Sequence, residues 1–165
     1  MKTMKGKPIT VIGNVLKLGD LAPNFTADTN QFTKMSLADV KTPYVLISVV
    51  PSLDTSVCSF QTRMINEKLA SIKDLTVLTL SNDLPFAQKR WCGAEGLNIT
   101  TLSDHMNLDF AHKYGVLIEE MRLLARAVFV LDSKRQIIYI EYLDEMSNHP
   151  NYESLLNFVE NLPKA

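Results

Sequence analysis

The chain has 165 residues, 46% of them hydrophobic, and a formal net charge of -1. That length suits one domain over residues 1–165, with a core filled without metals or staples, and the missing basic excess excludes a general electrostatic hold on nucleic acid or an anionic membrane. Two cysteines are too few for a small secreted disulfide scaffold and read as either core thiols or a redox pair.

At the start, Lys2 and Lys5 are followed by no long apolar run, so no secretory signal is expected. No window is long and apolar enough to span a bilayer, so a cytoplasmic protein is expected. On that expectation the Asn98-Ile99-Thr100 sequon carries no meaning. Lys7 to Gly13 reads as a strand after a turn at Gly6, closing a small N-terminal hairpin. Leu18 to Pro23 is a loop, and Ser36-Leu37-Ala38-Asp39 fits a capping box opening one helical turn. Tyr44 to Val50 is a continuous aliphatic and β-branched run, as in a strand buried on both faces. Thr55 to about Ala70 is helical by pattern, with Val57, Phe60 or Met64, Ile65 and Leu69 near one face.

Leu75 to Leu80 is a second buried strand. Asp83 can cap a helix that carries Pro85 in its first turn and runs to about Cys92. Ile99 to Leu102 suggests a third strand, and Leu108 to Tyr114 a helix ended by Gly115. Ala125 to Leu131 and Gln136 to Tyr142 form a hairpin about Asp132–Arg135. A last helix runs from Asn151 to Leu162. The order β-α-β-α-β-α-β-β-α implies a parallel core extended by an antiparallel pair, an arrangement found in thioredoxin-like folds. Topology alone assigns no function.

Chemistry concentrates at Pro51-Ser52-Leu53-Asp54-Thr55-Ser56-Val57-Cys58. With Thr55 as N-cap, Cys58 is the third helical residue, where unpaired N–H groups and the helix dipole favour an anion. The thiolate is the nucleophile, and an ordinary free thiol of pKa about 8.5 is only about 3% ionised at pH 7. Thr55, one turn earlier, can face the sulfur and donate to it or to a bound peroxide oxygen, and Pro51 can screen it from water. A buried, inert cysteine is the competing reading. Arg126 lies within the apolar run Leu123–Leu131. A buried arginine needs an anion, ordinarily Asp or Glu, and here alternatively a thiolate. Cys92 follows Cys58 by 34 positions, far from the spacing of a Cys-x-x-Cys exchanger. A disulfide closing such a loop is entropically unremarkable, at about 3–4 kcal/mol in the chain-entropy model.

These residues resemble the thiol peroxidase (Tpx) group of atypical two-cysteine peroxiredoxins. Pro51, Thr55 and Cys58 match the Pro-x-x-x-Thr-x-x-Cys motif. Ser81-Asn82-Asp83-Leu84-Pro85-Phe86-Ala87-Gln88-Lys89-Arg90-Trp91-Cys92 resembles the segment around the resolving cysteine, and Leu124–Val128 the arginine strand. The resemblance covers nearly the whole chain. It implies an α/β thioredoxin-like fold, with a central mixed sheet flanked by helices and an N-terminal β-hairpin. It also implies a thiol-dependent peroxidase acting on hydrogen peroxide and alkyl hydroperoxides. Cys58 would be the peroxidatic cysteine and Cys92 the resolving one, in a disulfide within each subunit of a homodimer reduced by thioredoxin. Thr55 and Arg126 would polarise the peroxide and stabilise the thiolate, and Pro51 would shield it. No metal, haem or flavin is implied.

Ser56 stands where many members carry Gly, and Leu53 where Ile is common. The segment Glu119–Arg122 has no role at this level. His105, His112 and His149 have no ligand spacing with either cysteine and read as surface or capping residues. Lys89 and Arg90 read as a solvated helix face. Competing functions are a disulfide reductase, which would reduce disulfides without consuming peroxide, and a binding domain with two unreactive thiols. Because both cysteines are placed at helix ends, local unwinding is expected before they can bond.

Overall fold

A computed structural model describes residues 1–96 and 99–164, so Asn98 of the sequon lies outside the described residues. In chain order the elements are β1 (Lys2–Met4), β2 (Lys7–Ile9), β3 (Val11–Ile12), β4 (Thr26–Thr29), β5 (Lys34–Ser36), a 3-10 turn (Leu37–Asp39), β6 (Tyr44–Val49), α1 (Ser56–Leu69) and β7 (Leu75–Ser81). There follow α2 (Pro85–Glu95), β8 (Thr101–Ser103), α3 (Asp109–Tyr114), β9 (Leu117–Ile118), β10 (Leu123–Leu124), β11 (Ala127–Leu131), β12 (Ile137–Tyr142) and α4 (Tyr152–Glu160).

The main sheet has the order β12-β11-β6-β7-β8-β4-β5. β6, β7 and β8 are parallel, joined by α1 and α2, while β11, β12, β4 and β5 pair antiparallel. This is the mixed, thioredoxin-like arrangement expected. Strand alternation divides the core. Val45, Ile47 and Val49 of β6 pack with Phe25, Phe110 and Tyr114 on one side, and Leu46 packs with Ile65, Leu69, Leu155 and Val159 of α1 and α4 on the other. Among the described residues no helix is long and apolar enough to cross a membrane.

The N-terminal hairpin forms through Lys5 and Gly6, both at positive φ, as a two-residue turn between right-twisted strands requires. The single strand expected over 7–13 is instead two. β2 pairs with β1, whereas β3 joins β9 and β10 in a separate sheet. The break falls at Thr10, whose N–H donates to the Glu120 carboxylate at 2.9 Å while its carbonyl accepts the Glu119 N–H. The Glu119–Arg122 segment therefore anchors the N-terminal region. At Ser36 the backbone N–H donates to Asp39 at 2.8 Å, the reciprocal contact of a capping box.

Gly115 ends α3 in the left-handed region, and a Cβ there would stand 2.9 Å from the Asn14 backbone. The start of α3 is held by buried Asp104, whose carboxylate accepts the Phe110 and Ala111 N–H groups at 2.9 and 2.8 Å. Burial raises its pKa from 3.8 to about 6, against the pull of those N–H groups. The folded protein therefore holds this proton more tightly than the unfolded chain. Its contribution to stability is fully present below about pH 4 and is lost as pH rises through about 6. The full span is on the order of 3 kcal/mol. Denaturant unfolding followed from pH 7 to 4 should show this gain in the wild type and a flatter profile in Asp104→Asn. Parallel profiles for the two proteins would refute the assignment.

Candidate active site

The chain leaves β6 through buried Val50 and Pro51 and turns at Ser52–Thr55. Two bonds reach the Ser52 carbonyl from Thr55, one from its N–H at 3.2 Å and one from its hydroxyl at 3.0 Å. Thr55 is extended and caps α1 by position, so Cys58 is the third helical residue, as expected. Thr55 makes no side-chain cap hydrogen bond, and its hydroxyl proton goes to Ser52 rather than to the sulfur. Donation to Cys58 is thus corrected. The hydroxyl oxygen is left as an acceptor.

Cys58 is fully buried, and Arg126, 2% exposed, reaches it with Nη2 3.2 Å from Sγ. The rest of the guanidinium is held in place. Nη1 donates to Gln61 Oε1 at 2.8 Å and Nε to the Met146 carbonyl at 2.9 Å. Gln61 in turn donates to the Ser48 hydroxyl at 2.9 Å, the one polar side chain in the buried middle of β6. No ion pair joins Arg126 to a carboxylate among the described residues. A buried cation held this way favours an anion at the position it faces, and that position is the Cys58 sulfur. Arg126 does not lie inside a strand, however. It precedes β11, which begins at Ala127, and its N–H donates to Met146 Sδ at 3.2 Å.

A cavity of about 380 Å³ opens over this group, lined chiefly by Met4, Pro51, Thr55, Val57, Arg126 and Met146. Cys58 does not line it, and Arg126, which does, is the residue that reaches the sulfur. The N-terminal hairpin supplies Met4 because Glu145 ties the turn at Lys5-Gly6 to the segment carrying Met146. Hydrogen bonds from Ser147, then from Gly6 N–H, hold that carboxyl down to about 2. Tyr152 also stands near. Burial pushes its phenol up to about 12, with the Arg126 charge acting the opposite way.

Cys92 lies within α2, three residues before its end, rather than at the terminus. It is buried, shares a small apolar cluster with Val50, Leu53, Cys58, Trp91 and Ile99, and forms no disulfide here. Burial pushes its thiol up, partly offset by the Thr101 hydroxyl. On its other side lies an open cleft lined by Lys89, Gly93, Thr101 and the tip of the β4–β5 hairpin.

A Redoxin family profile matches residues 17–156. A thiol peroxidase of Bacillus subtilis is 51% identical over 163 residues, covering 98% of both chains. One of Oceanobacillus iheyensis is 53% identical over 156 residues, covering 94% of this chain and 95% of the other. The chain belongs to the thiol peroxidase group of the Redoxin family. The crystal structure of a peroxiredoxin-like protein from Aquifex aeolicus superposes with TM-score 0.90 at 38% identity, covering 98% and 96% of the two chains. This chain is accordingly a peroxiredoxin-type peroxidase.

Within the peroxidase, Pro51, Thr55 and Arg126 line one cavity, Arg126 reaches the Cys58 sulfur, and Cys92 shares an apolar cluster with Cys58. Sequence reasoning missed Gln61, Met146 and Ser48. A polar residue in an aliphatic strand, and a glutamine one turn after the cysteine, were the available signals for two of them. Of the face expected for α1, Ile65 and Leu69 are buried, and they share it with Cys58, Gln61, Thr62 and Asn66, whereas Val57 and Met64 are half-buried. Phe60 is 42% exposed and packs edge-on to His149 instead. Asp83 does not cap α2, whose N-cap is Leu84 without a side-chain bond. Arg90, read as part of a solvated helix face, is largely exposed and lies 3.4 Å from Asp54.

Proposed function

We propose that the enzyme reduces hydrogen peroxide and alkyl hydroperoxides through Cys58, with Cys92 resolving the product as an intrasubunit disulfide. The observation that carries this reading is the Arg126 guanidinium directed at the sulfur with no competing carboxylate. The Cys58 thiolate attacks the terminal peroxide oxygen, the O–O bond breaks, and the alkoxide leaves and takes a proton to become the alcohol. Cys58 is then a sulfenic acid. Arg126 stabilises the charge growing on the leaving oxygen. Thr55, its own proton held by Ser52, accepts the hydrogen bond of the incoming peroxide. Pro51 and the apolar lining keep water from the sulfur.

Cys92 remains a neutral thiol until it meets the sulfenic acid, when the S–S bond forms and water is released. Thioredoxin then reduces the disulfide. A homodimer is proposed as well, supported by the exposed apolar group Phe32, Leu84, Phe86 and Met106. The test is rapid mixing of the reduced enzyme with peroxide. Trp91, adjoining Cys92, should change fluorescence as the disulfide closes. Cys92→Ser should give a trappable sulfenic acid, lack that second phase, and lose thioredoxin-linked turnover by about 10²-fold or more. Full cycling of Cys92→Ser with thioredoxin would exclude Cys92 as the resolving thiol.

A further inference from the structure

One carboxylate joins the two segments that carry the thiols. Asp83 follows β7 and stands two residues ahead of α2. Its Oδ1 accepts the Ser52 hydroxyl at 2.7 Å, and Oδ2 accepts both the Leu53 N–H and the Ser81 hydroxyl at 2.8 Å. Its carbonyl accepts the Ser103 hydroxyl at 2.6 Å, which fixes its backbone against β8. Ser81 accepts the Gln88 side-chain amide at 3.0 Å, one helical turn before Cys92. A continuous path of hydrogen bonds thus runs from the turn preceding Cys58, through Asp83 and Ser81, to the helix carrying Cys92. Among the described residues Asp83 has no ion pair, so its carboxylate is held by these hydrogen bonds, and its own N–H donates to the Ser81 hydroxyl at 3.3 Å. The Asp54–Arg90 pair spans the same gap on the outside, but both side chains are largely exposed. Such a pair contributes little.

The Ser52–Thr55 turn sets where Pro51 and Thr55 stand over the cavity and where α1 begins. It is tied across to β7 and α2 through Ser52 and Leu53, and the tie is Asp83. Cys58 and Cys92 are buried in two different helices and form no disulfide here; pairing requires a particular Cα separation and torsion, which opening of the turn ahead of α1 would supply. We propose that Asp83 is the positioning residue that holds this turn in its peroxide-reactive form, and so sets the balance between that form and the opened form in which Cys92 reaches Cys58. The proposal rests on the Cys58–Cys92 pairing given above. Asp83 touches neither the sulfur nor the cavity and acts through the turn alone.

The consequence is that two rates move in opposite directions. In Asp83→Ala the reactive form is less populated, so sulfenic acid formation should slow roughly tenfold, since three bonds to a charged acceptor are lost. Disulfide closure, read from Trp91 fluorescence as the peroxide-independent phase, should quicken by a similar factor. The peroxide concentration that inactivates by over-oxidation should rise in step, because the sulfenic acid survives for less time. Asp83→Asn keeps the shape, one acceptor oxygen for Leu53, and an amide that a serine hydroxyl can accept from, so it should restore both rates to within about threefold. Ser52→Ala removes one of the three bonds and should shift both rates in the same opposed sense by a smaller factor. That variant decides the matter if Asp83→Ala does not fold. Equal slowing of both phases, or lowered thermal stability with both rates unchanged, would overturn the proposal and leave Asp83 a structural residue. A wild type that forms no Cys58–Cys92 disulfide under peroxide, by non-reducing mass analysis, would overturn the pairing itself before Asp83 is altered.

Discussion

Cys58→Ser is expected to lose peroxide turnover down to the uncatalysed background and, less obviously, to lose stability. The first effect follows from the nucleophile. A serine hydroxyl is un-ionised at neutral pH and no base stands ready to activate it; its neighbours are the Arg126 guanidinium and a fully buried wall. The second follows from Arg126. That side chain is 2% exposed and its polar partners are Gln61, the Met146 carbonyl and the sulfur, of which only the sulfur can carry charge. Serine removes the one partner of Arg126 that can ionise and leaves the buried cation with neutral partners only, at a cost on the order of 1–3 kcal/mol. Denaturant unfolding of the reduced proteins at neutral pH measures it. Cys58→Ser combined with Arg126→Met should regain part of the loss, because the two residues act on one interaction. Strict additivity of the two changes would show that the sulfur and guanidinium do not stabilise one another.

The pairing of sulfur and guanidinium was legible in the sequence as one of two alternatives, a carboxylate or a thiolate as the anion that a buried arginine needs. An anion-favouring helix start could be read from Thr55 and Cys58 because it is a local matter of capping and spacing. A buried arginine could be read from Arg126 because its neighbours are all apolar. That they meet is a property of β11 lying beside β6, with Ala127 opposite Val49 at the carboxyl end of that strand. The groups that orient the guanidinium were less accessible still. Gln61 is 65 positions away from Arg126 and Met146 is 20 away; a glutamine one turn after the cysteine marks Gln61 as close to the site but does not name Arg126, and nothing local marks Met146. The same reason explains the face of α1. A hydrophobic periodicity finds the residues that pack against oil, whereas the first two turns of this helix bury Gln61 and Thr62 against the site, where hydrogen bonds compensate their desolvation.

The fold divides in the same way. β6 and β7 are covered on both faces, so their sequences are mostly aliphatic and β-branched and their bounds were read nearly correctly. β4 and β5 have no such signature. Thr26-Ala27-Asp28-Thr29 becomes a strand because the edge of β8 offers it backbone partners and because Asp28 finds Lys34 and His105. β9 and β10 have two residues each, too few for any periodicity to register, and exist through pairing with one another and with β3. Asp83 belongs with these. As a residue before a helix it invites reading as an N-cap, and its carboxylate instead serves a turn 30 positions earlier.

Arg126→Met is expected to lower kcat/KM for hydroperoxides by about 10²–10³-fold while leaving the fold intact. Methionine fills much of the same volume, and the substitution removes a buried charge whose desolvation is itself costly. Against that gain stands Gln61 Oε1, which loses its donor while its amide stays anchored on the Ser48 hydroxyl and the Val49 carbonyl. The two terms oppose each other, so the change in stability should be small beside the change in rate. The rate falls because the guanidinium acts where charge changes place. It faces the sulfur, and it lines the cavity in which the O–O bond is proposed to break. Arg126→Lys keeps a positive charge but cannot reach the sulfur, Gln61 and the Met146 carbonyl together, so it should recover only part of the loss. Stopped-flow measurement of the first oxidation step, with saturating reductant excluded, separates this effect from disulfide closure. A value for Arg126→Met within about threefold of wild type would remove the guanidinium from the chemistry and reduce it to a packing residue beneath the cavity.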